Sequence, residues 1–176
     1  YAQWLRCAPV GTAGQPHKHA FLRKASVAAQ CSSRDGVTFT LGAARLVNST
    51  RSHAVLNSLS LDFIAASFAA LSEGGAFEEI GKRGIWAAAR HLMSASSTSY
   101  CAIALDADMT LDPMWMHGVL ALLASRSGTG AVTSLPLQSF DMAGQHEIAF
   151  RTLQSGLNVG KIVVRVSACM RACVGV

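Results

Sequence analysis

Short β-like runs alternate with helical patterns at βα spacing along almost the whole chain, and that alternation leaves few folds open. Residues 8–13 form a short apolar run closed by Gly14, and 15–25 place Ala20, Phe21 and Lys24 at helical spacing. A second strand is expected over 27–31, followed by the polar turn Ser32-Ser33-Arg34-Asp35 and a helix over 37–47 with Phe39, Ala43 and Leu46 on one face. Residues 53–57 read as a strand. Ser60 or Asp62 then caps a helix whose stripe is Phe63, Ile64, Phe68 and Leu71, and Gly74-Gly75 ends it. Further strands are expected over 76–80 and, after a Ser-rich loop, over 99–105. Asp112 is a good cap and Pro113 a good first residue for a helix with Val119, Leu120, Leu122 and Leu123 on its apolar side. Residues 132–140 make a weaker strand, an edge or connector because of Pro136. A helix over 145–155 stops at Gly156, and 161–166 is the last strand. Repeated βα units of this length predict a parallel sheet with helices on both faces.

Composition bears this out as one domain's worth of chain. With 176 residues, 51% of them hydrophobic and 14% charged, it buries a core and is no disordered tail. Fifteen basic against ten acidic residues give 15 − 10 = +5, but Arg6, Lys18, Arg23, Lys24, Arg34, Arg45 and Arg51 are dispersed, which favours small anions over nucleic acid. No apolar run reaches 18 residues, the best being 114–125, and no signal peptide is visible. Five scattered cysteines fit reduced thiols, so the chain is read as soluble and cytoplasmic. Its first residues, Tyr-Ala-Gln-Trp-Leu-Arg, read as the middle of a helix without a cap, as if sequence upstream were missing.

Several familiar chemistries fail on inspection. His146-Glu147-Ile148-Ala149-Phe150 has Phe where a zinc helix needs its second His, and Cys169 and Cys173 have no second pair nearby, so no metal is expected. No G-x-S-x-G elbow occurs. Gly128-Thr129-Gly130 has Thr133 in place of the third glycine of a dinucleotide fingerprint and follows a helix, so it reads as a loop.

The informative stretches are Val55-Leu56-Asn57-Ser58-Leu59-Ser60 and Gly74-Gly75-Ala76-Phe77-Glu78-Glu79-Ile80-Gly81-Lys82. With Gly11-Thr12-Ala13-Gly14, Lys18, Ala20-Phe21-Leu22-Arg23, Ser32-Ser33-Arg34-Asp35, Ala149-Phe150-Arg151 and Val159-Gly160-Lys161-Ile162-Val163-Val164, they resemble, in order, the enoyl reductase domains of polyketide synthases and animal-type fatty acid synthases. Those domains are members of the medium-chain dehydrogenase/reductase superfamily. The resemblance covers residues 1–166 and implies a Rossmann-like parallel sheet flanked by helices, truncated at its N-terminal edge, as the NADPH-binding part of such a domain. Residues 167–176 do not share it and read as an unstructured or non-native tail.

NADPH-dependent reduction of an α,β-unsaturated acyl thioester on a carrier protein is the activity this implies, within a multidomain synthase; a homodimeric parent protein is compatible with it. Lys18 lies where an ammonium could pair with the 2′-phosphate of NADPH, the alternative being a solvated surface Lys. Arg34 could grip the same phosphate or simply start a helix. Asn57, Ser58, Leu59 and Gly81 follow strand ends, where open α/β sheets bind ligands, although Asn57 and Ser58 also suit a turn and cap. Enoyl reduction needs an enolate stabilised and a proton delivered, and the resemblance assigns that to Lys82 and Asp106, each expected at a strand tip. A surface salt bridge is the competing account, and Asp108 lies close enough to be the acid instead.

Where the sequence departs from the family, expectations follow. The glycine-rich cofactor turn would precede Tyr1, Gly84 stands where Asp is common, and 48–52 replace a Gly-rich turn. Without the helix N-terminus that receives the pyrophosphate, the 176-residue chain alone is expected to bind NADPH weakly and to reduce nothing. Consumption of NADPH with a crotonyl thioester, followed by absorbance, would refute that. A zinc-free quinone oxidoreductase and a non-catalytic interaction module are the rival readings.

Overall fold

The computed structural model describes residues 5–47, 51–59 and 61–166. The expectations for Tyr1–Trp4, for the turn at 48–50, for Ser60 as a cap and for the tail with Cys169 and Cys173 lie outside these residues. Two compact units are formed, Tyr1–Thr129 and Gly130–Val176.

In the first unit the elements run β1 (Val10–Ala13), α1 (Pro16–Lys24), β2 (Ala29–Ser32), α2 (Gly36–Val47), β3 (Ser52–Asn57), α3 (Asp62–Ala69), β4 (Leu71–Glu79), α4 (Ala88–Ala95), β5 (Ser99–Ala102), α5 (Leu105–Leu111) and α6 (Pro113–Gly128). All pairing is parallel: β1 with β2, and β3-β4-β5 with β4 in the middle. The second unit holds β6 (Leu137–Asp141), α7 (Met142–Ser155) and β7 (Lys161–Arg165), with β6 and β7 again parallel. The α/β class of parallel strands flanked by helices is therefore the one adopted. Its strands bond in three groups rather than one continuous sheet, and among the described residues no strand pairs with the outer edges of β1 or β3.

Two clusters organise the first unit. Ile64, Phe68, Leu71, Phe77 and Trp86 form one, with Val55, Ala95 and Tyr100 against it. Phe68 is its hub, stacked on Phe77 at 4.1 Å and on Trp86 at 4.9 Å between ring centroids. Offset ring pairs of this kind add specific geometry to the area they bury. Cys31, Phe39 and Ala43 form the other cluster with Leu46, Phe63, Ala66 and Ala70, which joins α2 to α3 through an edge-on contact of Phe39 and Phe63.

Four local expectations are corrected. Gly74-Gly75 does not end a helix: α3 closes at Ala70, and the glycines lie inside β4. Register jumps from Ser52↔Leu71 to Ala54↔Ala76, so β4 carries extra residues that bulge out, and Gly74 makes this possible with φ of 72°, a value that β-carbons disfavour. The strand expected over 99–105 stops at Ala102, and α5 follows at once. Helix α4 occupies a stretch for which only a Ser-rich loop was expected; its Ala-Ala-Arg-His-Leu-Met-Ser-Ala is short and buries a histidine, His91, instead of an apolar stripe. Finally, α6 starts as expected, with Asp112 Oδ1 accepting from the Trp115 N–H at 2.9 Å, yet it buries no residue. Its apolar side chains surround the helix instead of lining one stripe, so Val119, Leu120, Leu122 and Leu123 are exposed.

Candidate functional site at the carboxyl ends of the strands

At the end of β1 and β2 the backbone opens into a cleft of about 420 Å³ lined by Ala13, Gly14, Gln15, Pro16, His19, Arg23 and Ser32. Pro16 starts α1 there, which its fixed φ favours. His19 turns back and its Nε2–H donates to the Ala13 carbonyl at 2.8 Å, tying α1 to the tip of β1. Arg34, just past β2, lies across Gly14. A β-carbon at Gly14 would sit 2.7 Å from Arg34 Cγ and 3.0 Å from Nε, so a bare glycine is what lets the guanidinium reach the end of the neighbouring strand. Asp35 accepts from both the N–H and the hydroxyl of Thr38 at the start of α2; the hydroxyl bond is first among the causes that hold its carboxyl below the ordinary range. Lys18 is half-buried on α1. Arg23 in the cleft lining and Arg34 against Gly14, with Lys18 on the same helix as Arg23, form a donor set suited to a phosphate.

A second group lies at the ends of β3 and β4. Asn57 and Glu79 are register partners on adjacent strands, 4% and 1% exposed. The Asn57 Nδ2–H donates to Glu79 Oε2 at 2.6 Å and also to the Leu59 carbonyl, while Asn57 Oδ1 accepts from the Leu59 N–H at 3.3 Å. The other carboxylate oxygen of Glu79 accepts from the Gly81 N–H at 2.6 Å. Asn57 is thus engaged internally, Ser58 is exposed and Leu59 half-buried at the loop that follows.

Lys82 leaves this group toward solvent and pairs with Asp106, Nζ to Oδ2 at 2.9 Å, both side chains about 70% exposed (73% and 69%). Asp106 is in the first turn of α5, not at a strand tip as expected, and it is Asp106 rather than Asp108 that Lys82 meets. The hydrogen bond from Lys82 is the largest cause holding the Asp106 carboxyl below its usual range. Asp106 therefore meets Lys82 as a carboxylate that accepts from Nζ.

The sites expected from sequence fall into three groups: Lys18 and Arg34 at β1–β2, Asn57, Ser58, Leu59 and Gly81 at β3–β4, and the Lys82–Asp106 pair. Sequence reading missed Glu79, whose signal was its phase: Gly75, Phe77 and Glu79 are buried on the same side of β4. It also missed Arg23 and His19 in the cleft. His146 lies on α7, its Nδ1–H donating to the Met142 carbonyl, and Glu147 pairs with Arg151, so these are helix-surface groups. Among the described residues no cluster of three or more His, Cys, Asp or Glu suits a metal ion, and no helix is long and apolar enough to cross a membrane.

No family profile matches the chain. It is 32% identical over 157 residues to the reducing polyketide synthase rads1 of Floropilus chiversii, which covers 88% of this chain and 6% of that one. The solved CurK enoyl reductase is 28% identical and superposes with a TM-score of 0.80 over 94% of this chain and 49% of its own. The nucleotide-binding subdomain of the enoylreductase domain of PpsC from Mycobacterium tuberculosis is 25% identical, with a TM-score of 0.64 over 75% of this chain and 74% of its own. The chain thus spans about half of a solved enoyl reductase such as CurK and a small fraction of the curated synthase.

Proposed function

We propose, from the premise that this chain is part of an enoyl reductase domain of the polyketide synthase kind, that it forms the NADPH-binding half of a reductase acting on α,β-unsaturated acyl thioesters held by a carrier protein. The observation that carries the reading is the Lys82–Asp106 pair, which joins the loop after β4 to the first turn of α5, with Lys82 next in sequence to Gly81 of the buried Asn57–Glu79 junction. A surface ion pair by itself contributes little stability. At a strand end, where parallel sheets bind ligands, it is also a proton source.

The residues present fit the cofactor. Arg34 across Gly14 and Lys18 on α1 supply cations for a 2′-phosphate, with Arg23 in the adjoining cleft. Ser58 and the loops that carry Leu59 and Gly81 lie at the next strand ends for the remainder of the dinucleotide, the Leu59 and Gly81 N–H groups being held by Asn57 and Glu79. NADPH, when bound, supplies the hydride. The chain's own part in the reaction is to hold a proton on Lys82 Nζ for the α-carbon and to place that ammonium where enolate charge develops. Asp106, held ionised, orients the ammonium. The other domains of a synthase and a carrier protein are the partners this chemistry requires, in a cytoplasmic setting.

The reading is tested on the complete reductase domain that contains this chain, with NADPH and either a crotonyl thioester or a quinone as acceptor. Turnover of the thioester supports it; turnover of the quinone alone selects the quinone reductase, and neither activity selects the interaction module. Within the same assay Arg34→Ala is expected to weaken adenosine 2′,5′-diphosphate by roughly tenfold, the value of one hydrogen bond to a charged group, and to leave NADH unchanged. Equal loss for NADH would place Arg34 elsewhere on the dinucleotide.

A further inference from the structure

We infer that Glu79 is a positioning residue, whose buried carboxylate sets the two loops that present Leu59 and Lys82 to the cofactor; the inference rests on the NADPH reading above. The alternation of β4 puts position 79 on the core side, one pleat beyond Phe77, where the pattern asks for an apolar side chain. A carboxylate there is costly unless each oxygen finds a donor. Each does: one oxygen takes the Asn57 amide and the other the Gly81 N–H.

What those two donors belong to gives the arrangement its meaning. Asn57 also fixes the loop after β3, bonding both the N–H and the carbonyl of Leu59. Gly81 is the residue before Lys82. A single carboxylate therefore bridges the loop following β3 and the loop following β4, both at the edge where a nucleotide would lie. The backbone ladder continues across the same point, with the Ile80 N–H on the Asn57 carbonyl and the Ile103 N–H on that of Glu79, so the central strand holds β3 and β5 in step up to this junction. An apolar side chain would fill the space but leave the Asn57 amide and the Gly81 N–H without their acceptor, letting the loops go at some cost in stability. The polar solution is retained where loop placement matters and packing alone does not supply it.

The test uses the complete reductase domain that contains this chain, 15N-labelled, titrated separately with NADPH and with adenosine 2′,5′-diphosphate and followed by amide shifts. Glu79→Gln keeps the volume but sets an NH2 against one of the two donors. Its NADPH affinity is expected to fall about tenfold, the scale for removing the hydrogen-bond partner behind a binding group, with shrunken shifts at Leu59 and Lys82. Its affinity for adenosine 2′,5′-diphosphate, which needs only the β1–β2 end, stays within about twofold of the parent by the independence of distant sites. Glu79→Met is the second variant: it suits an apolar core position, stays folded at about 25 °C with a lowered melting temperature because two donors lose their acceptor, and loses NADPH in the same selective way. Unchanged NADPH affinity in the folded variants overturns the inference. So does parallel loss of both ligands, or failure of both variants to fold, since either makes Glu79 a stability residue. If the unsubstituted domain binds adenosine 2′,5′-diphosphate but NADPH moves neither Leu59 nor Lys82, the placement of the cofactor along the strand ends is wrong, and the inference falls with it.

Discussion

Replacing Lys82 by methionine in the complete reductase domain lowers kcat by roughly 10²–10⁴-fold, the range for losing a positioned proton donor, while NADPH binding changes less than about threefold because Lys82 pairs with Asp106 and is not part of the β1–β2 cleft lining. The split between kcat and binding is the informative part. A surface salt bridge with no chemical role contributes at most a small stability term, and its loss would leave kcat nearly intact. Asp106→Asn is expected to be milder, since the ammonium and its proton remain and only their orientation suffers. The pH dependence has a definite sign. The Asp106 carboxyl is held below its ordinary value by the Lys82 hydrogen bond, so the pair is fully formed above the usual carboxylate range. It is lost only as pH falls through the lowered value in the folded protein. Turnover should therefore show no acid limb from this pair between neutrality and the ordinary carboxylate range. Equal kcat values for the parent and Lys82→Met at saturating thioester and NADPH would end the assignment of the proton to this residue.

Much of this site was legible because its positions are tied to strand ends. Asn57 closes and Gly81 follows a short apolar run read as a strand, and Asp112 with Pro113 marks a helix start by chemistry that acts within one turn. What escaped reading was decided by partners distant in sequence. Glu79 looks like one of two solvent-facing acids, Glu78 and Glu79, until its neighbour across the sheet, Asn57, is known. Asp106 was placed on a strand because Ala102-Ile103-Ala104-Leu105 is apolar, but pairing with β4 ends at Ala102 and the chain turns into α5. Gly74-Gly75 resembled a helix stop because a bulge and a C-cap both call for residues that tolerate positive φ. The apolar run of α6 promised burial, yet periodicity rather than content determines which face is covered, and α6 has apolar residues on every side.

Phe77→Ala should be the most damaging single truncation in the first unit, at about 3–5 kcal/mol, because it removes a fully enclosed ring and leaves a cavity that stacked neighbours cannot close. Phe77 is 0% exposed, its ring lies 4.1 Å from that of Phe68 at an interplanar angle of 14°, and Tyr100 approaches from β5 at 5.8 Å. Phe68 in turn bears on Trp86 and His91, so one ring in β4 supports contacts reaching α3, α4 and β5. Those contacts are rigid planar ones, and a methyl group in place of the ring offers none of them a new partner. The loss corresponds to a melting-temperature drop of roughly 6–20 °C for a chain of this size, read by circular dichroism and checked by urea titration. Phe77→Leu, which refills most of the volume, should recover more than half of it. The same side of β4 carries Glu79 two residues on, so the core ring and the buried carboxylate share one strand face. Loosening the ring should therefore raise amide exchange at Gly81 and Lys82 well below the melting temperature, before the unit unfolds. A drop of less than about 1 kcal/mol, the level of an ordinary surface change, would mean that β4 is not the structural axis of the site.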